Sequence, residues 1–119
     1  MIKTCYDQKR NAVIIEFEGH VEPSQSEQFL ADIQKVVPND GKGFTVLTDM
    51  TALDKMDRSV QSTVTKVMDL LNAGGVTKVV RVIPDSGKDI GFNILSVFHY
   101  SKGVKILTLE TREEAMQKL

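Results

Sequence analysis

A chain of 119 residues, 41% hydrophobic and 26% charged, is long enough to enclose one hydrophobic core and too short for a two-domain enzyme. Lys plus Arg number 15 against 16 for Asp plus Glu, a formal net charge of -1, which offers no broad attraction to phosphate backbones and so excludes nucleic acid as the expected partner. The single cysteine, Cys5, has no internal disulfide partner and fits a reducing compartment. No apolar run is long enough for a signal peptide or a membrane span, so the expectation is a cytoplasmic, soluble single domain over residues 1–119.

The first strong element is AVIIEFE, Ala12 to Glu18. Val13, Ile15 and Phe17 share one face and Ile14, Glu16 and Glu18 the other, the period-2 pattern of a strand. Ile2 to Tyr6 can pair with it as a hairpin. Gly19 reads as an interruption, and Glu22-Pro23 suits a helix start because proline at the first helical position gives up a donor the helix does not use there. Phe29, Leu30, Ile33, Val36 and Val37 recur at helical spacing, and Pro38 to Gly41 supplies the stop.

Phe44 to Met50, FTVLTDM, predicts a further strand, followed by a polar stretch to Ser59. Val60, Val64, Val67, Met68 and Leu71 form a helical stripe that ends at Gly74-Gly75, where glycine can take the left-handed conformation. Val76 to Ile83 is apolar on both sides of its alternation, as in a strand covered on both faces. Asp89 to Tyr100 reads as a helix with an unusually wide apolar arc of Ile90, Phe92, Ile94, Leu95, Val97 and Phe98. Val104 to Leu109 is the last strand, and Thr111 with Glu114 makes the capping box of a short final helix carrying Ala115, Met116 and Leu119. The order ββαβαβαβα predicts an α/β fold with a mixed central β-sheet and packed helices.

No arrangement of these residues demands catalysis or a cofactor. Asp85 to Lys88 lacks the glycine and the hydroxyl residue of a phosphate-binding loop. His20 and His99 stand at no metal-ligand spacing, and no metal is expected. Met50, Met56 and Met68 suit gap-filling in a core. Glu16, Glu18 and Glu22 could form a carboxylate site, but the simpler reading is a partly solvated face. The segment Met56 to Val60 precedes the clearest helix. Asp57 or Ser59 is expected to cap that helix, and a hydroxyl there is well placed for phosphorylation, because the helix dipole and free amides stabilise the added charge.

Two segments resemble the STAS family, the sulfate transporter and anti-sigma factor antagonist fold. VIIEFEGHVE, Val13 to Glu22, is similar to the family's strand ending in Gly-x-Leu-Asp: Gly19, Val21 and Glu22 take the glycine, apolar and acidic positions. VLTDMTALDKMDRSV, Val46 to Val60, is similar without a gap to the segment that runs from a strand ending in Asp to an Asp-Ser-Ser-Gly loop. Asp49 and Asp57 fall on the two aspartates and Ser59 on the serine phosphorylated in many members, whereas Arg58 and Val60 replace the first serine and the glycine. The closing TREEAMQKL resembles the family's final helix.

The resemblance implies a STAS-like domain acting as a non-enzymatic, anti-sigma factor antagonist-like module. Its partner would be a protein of the anti-sigma factor, kinase-like or signalling-scaffold kind. It places the turn from Gly19 to Ser24 beside the Ser59 loop, so that Glu22, Asp57, Arg58 and Ser59 make the partner surface, with Ser59 as the phosphoacceptor. A second reading takes the wide apolar arc, Phe92 and Leu95 above all, as a site for a small apolar ligand or lipid; the bland alternative is a helix covered by its own domain or by the mate in a homodimer.

Overall fold

The computed structural model describes residues 1–83 and 103–119. Strands β1 (Ile2–Asp7), β2 (Ala12–Val21), β3 (Phe44–Met56), β4 (Val76–Val82) and β5 (Lys105–Leu109) form a five-stranded sheet in the order β1-β2-β3-β4-β5. β1 pairs antiparallel with β2, and the remaining pairs are parallel, so the sheet is mixed, as the sequence predicts. The described helices are α1 (Ser26–Val36), α2 (Gln61–Gly74) and α3 (Arg112–Met116). The helix expected over Asp89 to Tyr100, with Phe92 and Leu95, lies outside the described residues.

The alternation in β2 sorts the core into two layers. Val13, Ile15 and Phe17 join Phe29 and Ile33 of α1 and Val64, Val67, Met68 and Leu71 of α2 on one face. Ile14 points the other way and meets Leu47, Val80, Val82 and Ala115 of α3. A sheet covered on both faces requires central strands that are apolar on both sides, which is why β4 reads VTKVVRV with Val79 and Val80 both buried. Met50, Met56 and Met68 are buried, filling the core.

Both long strands run further than their sequence patterns suggest. β2 passes through Gly19 to Val21, and β3 continues through the predicted polar stretch to Met56. The register explains the disguise. Pairing passes from Glu16↔Asp49 to Glu18↔Ala52 and from Gly19↔Leu53 to His20↔Lys55, so β3 carries an extra residue at each step. These bulges break the simple alternation and turn Leu53 and Met56 into the core while Asp54 and Lys55 stay exposed. Gly19 stands at the second bulge with φ +63°, a conformation that costs glycine little.

The helix ends also have local causes. Pro23 opens a 3-10 turn, Pro23–Gln25, that leads into α1, and the Glu22 amide donates to Gln25 Oε1 at 3.1 Å. α2 stops at Gly75, whose φ of +96° is the left-handed cap and whose amide donates to the Asn72 carbonyl at 3.1 Å. At α3, Thr111 Oγ1 accepts from the Glu114 amide at 3.2 Å, the capping half of the box predicted from sequence, while the Glu114 carboxylate accepts from the Thr111 hydroxyl at 3.0 Å.

Candidate functional site

The extra length of β2 and β3 delivers two turns to one end of the sheet. Val21 and Met56 are register partners, and the Asp57 amide donates to the Val21 carbonyl at 3.0 Å, extending the ladder by one bond beyond the strands. Glu22 and Asp57 therefore leave adjacent strands side by side, each leading into a helix. This is the juxtaposition that the family resemblance implied.

Between them lies His20. Its Nε2 is 2.6 Å from Asp57 Oδ1, and its Nδ1 is 3.6 Å from Glu22 Oε1. The imidazole is 44% exposed, so it sits in the rim of the turn rather than in the core. Sequence reasoning weighed His20 only as a metal ligand and missed this contact; the one available signal was its place two residues before Glu22 at the end of a strand. Among the described residues no group of three His, Cys, Asp or Glu side chains is arranged to hold a metal ion.

Asp57 spends its carboxylate on His20 and does not cap the following helix, and neither does Ser59. This corrects the expected side-chain cap. Arg58–Val60 instead forms a 3-10 turn that runs directly into α2, and Ser59 lies inside that first turn. Ser59 and Arg58 are exposed, and the Ser59 hydroxyl has no hydrogen-bond partner among the described residues; its carbonyl accepts from the Ser62 hydroxyl at 3.2 Å. Next to it, Val60 is fully buried and packs into the α1 and α2 layer. The valine that stands in place of the family's loop glycine thus anchors the turn, and burying its side chain stabilises the fold by about 1.5–3 kcal/mol.

Asp49 is separate from this turn. Its carboxylate, 9% exposed, accepts from the amide and hydroxyl of Thr51 at 2.9 and 2.5 Å and from Arg112 Nη1 at 3.1 Å. The same Arg112 nitrogen donates to Glu16 Oε1 at 2.5 Å. That hydrogen bond to Glu16 is the main reason why the guanidinium holds its proton more tightly than usual, with burial opposing it and Asp49 adding to it. Glu16 is accordingly half-buried in an ion pair, and Glu18 on the same partly solvated face meets Lys3 at 3.1 Å.

An open concavity of about 450 Å³ between α1 and α2 is lined by Leu30, Gln34, Lys66, Asp69, Leu70 and Ala73 and shares no residue with the Ser59 turn. Phe92 and Leu95, the residues of the apolar-ligand reading, lie outside the described residues.

No protein-family model and no curated protein matches the chain. Solved structures do. The anti-sigma factor antagonist SpoIIAA in its unphosphorylated form is similar at TM-score 0.64 and 21% identity, covering 99% of this chain and 96% of that one. The phosphorylated form of the Bacillus cell fate determinant SpoIIAA is similar at TM-score 0.62 and 21% identity, over 99% and 98% of the two chains. A DUF3478-family protein from Shewanella loihica with a SpoIIAA-like fold gives TM-score 0.69 at 16% identity, over 100% and 92%. At these identities the likeness is one of fold, over nearly the whole length of both partners: the chain has the SpoIIAA-like α/β fold of the STAS anti-sigma factor antagonists.

Proposed function

We propose that the protein is a non-catalytic, cytoplasmic regulatory module that binds a protein of the anti-sigma factor, kinase-like or signalling-scaffold kind and is switched by phosphorylation of Ser59. The observation that carries this reading is the exposed hydroxyl of Ser59, without a hydrogen-bond partner among the described residues, in the first turn leading into α2, beside the converging Glu22 and Asp57. Fold alone does not assign function, so the reading rests on this turn. Two of the similar structures are of one antagonist in its unphosphorylated and phosphorylated forms, which supports looking for the same modification here.

The chemistry works in two directions. Phosphorylation adds about -1.5 to -2 charges where the helix dipole and free amides favour anions, by about 0.3–1 kcal/mol, so the domain itself tolerates the group. At the partner surface formed by Glu22, Asp57, Arg58 and Ser59 the same dianion must be desolvated against two carboxylates. A cost of about 3 kcal/mol there weakens a complex by about 100-fold, enough to dissociate a micromolar one.

The test combines phosphopeptide mapping from signalling cells with affinity capture by the wild type, Ser59→Ala and Ser59→Asp. Phosphate on Ser59, with a partner retained by Ser59→Ala and lost by Ser59→Asp, is the expected result. Phosphate confined to another residue, or binding indifferent to stoichiometric phosphorylation of Ser59, would sink the switch.

A further inference from the structure

The Ser59 turn is tied to the rest of the fold through an imidazole with a carboxylate on each side. His20 Nε2 faces Asp57 Oδ1 at 2.6 Å, and Nδ1 faces Glu22 Oε1 at 3.6 Å. The other charged groups near it among the described residues have their own places. Lys55, its register partner on β3, is exposed; Glu18, two residues earlier on β2, is engaged by Lys3 of β1; the Met1 amino group donates to the Glu18 carbonyl at 2.7 Å; and Arg58 follows Asp57 with its side chain exposed.

An ionised carboxylate only accepts hydrogen bonds, whereas a neutral imidazole has one donor nitrogen and one acceptor. Only the imidazolium presents a proton to both carboxylates at once. A neutral ring that keeps the short bond to Asp57 turns a lone pair towards Glu22. We infer that His20 is a proton-operated clasp on the Ser59 turn. In the protonated state it draws Glu22, at the head of the segment leading into α1, and Asp57, at the head of the segment leading into α2, into one body. Loss of the proton releases the Glu22 side, unties the Ser59 turn from the segment leading into α1, and changes the summed charge of the three side chains from -1 to -2. The clasp regulates the partner surface and so builds on the Ser59 reading, but it acts inside this chain and can be observed without a partner. Because all three groups are partly exposed, the tie weakens as salt rises.

The experiment is backbone and imidazole NMR on the full chain over the histidine range, about pH 5 to 8, with the His20 ring signals identified by their loss in His20→Gln. The expected result is that the Glu22, Asp57 and Ser59 amides shift with the same midpoint as the His20 ring, and that these shifts disappear in His20→Gln. If His20→Gln does not fold, Asp57→Asn serves: the ring still titrates, and its effect on the residue 57 and Ser59 amides falls to less than half. Amides that ignore the ring, or that titrate unchanged in His20→Gln or at undiminished amplitude in Asp57→Asn, overturn the clasp. A failed clasp with Ser59 still phosphorylated in cells leaves the switch standing, and an intact clasp with phosphate elsewhere does the reverse.

Discussion

Arg112 Nη1 reaches Asp49 Oδ2 at 3.1 Å across 63 residues of chain and holds Glu16 with the same nitrogen. Glu16 and Asp49 are register partners on adjacent parallel strands, so two like charges stand side by side on the face covered by α3. Without the guanidinium they repel one another in a partly desolvated place. Arg112→Leu is expected to destabilise the protein by about 1–3 kcal/mol, below the range for fully buried pairs because the arginine is 40% exposed. Adding Glu16→Gln should restore part of the loss by removing one of the like charges. Urea unfolding of the two variants checks both points, and additive losses in the double variant would contradict the arrangement.

Val60 fastens the Ser59 turn to the core, which gives a prediction opposite in kind to those for Ser59. Val60→Ala removes two buried methyl groups and is expected to cost about 1–3 kcal/mol, read as a lower denaturation midpoint with an unchanged slope. Val60→Gly, the residue of the family's loop, should cost more, since it also frees the backbone. Ser59→Ala, on the exposed side of the same turn, should leave the midpoint within about 0.5 kcal/mol of the wild type.

At the far end of α2, Gly74 is confined by its neighbours. A Cβ built there would stand 2.5 Å from Val37 Cγ1, 3.2 Å from the Pro38 carbonyl oxygen and 3.3 Å from Phe44 Cε1. Gly74→Ala should therefore destabilise by about 1–3 kcal/mol through overpacking, although alanine is the better helix former. Combining it with Val37→Ala, which opens the closest contact, should recover part of the loss; thermal unfolding of both variants is the measurement.

The hairpin between β1 and β2 gives a pH dependence. The Arg10 side chain, donating to Asp7 Oδ2 at 2.8 Å, holds the Asp7 carboxyl below its ordinary 3.8, aided by the Arg10 amide. A depressed carboxyl stabilises the folded state above its unfolded pKa, and that contribution is lost as pH falls through the lower folded value. Carboxyl NMR should show Asp7 titrating below 3.8 in the wild type and higher in Arg10→Gln, which loses the guanidinium and keeps the backbone amide of residue 10 as a donor. The stability difference between the two proteins should shrink as the solution is acidified below about pH 4.

Much of the architecture was legible because it depends on short-range regularities. The period-2 faces of β2, the stripe along α2, the glycine that ends it and the Thr111 side-chain cap of α3 each lie within a few residues, and each forms as the pattern predicts. The family resemblance likewise identified the two turns that meet at the end of the sheet. The bulges were not legible. Two extra residues in β3 made Thr51 to Met56 look like a polar loop, because alternation is a sequence signal only while the register holds.

The sequence by itself determined the mixed α/β order and the buried faces, and its family resemblance implied the approach of Glu22 to Asp57. Only the tertiary structure decided what each charged side chain does. His20 meets Asp57 across 37 residues and Arg112 meets Glu16 across 96, contacts that exist only once β2 and β3 are paired in one register and α3 is seated on the sheet. The same cause took Asp57 away from its expected role as a helix cap: its carboxylate is turned to the imidazole at 2.6 Å and makes no side-chain bond to the amides of the following turn. Local chemistry sets what a residue can do, and the distance to a sequence-remote partner, fixed by strand register, selects among those options.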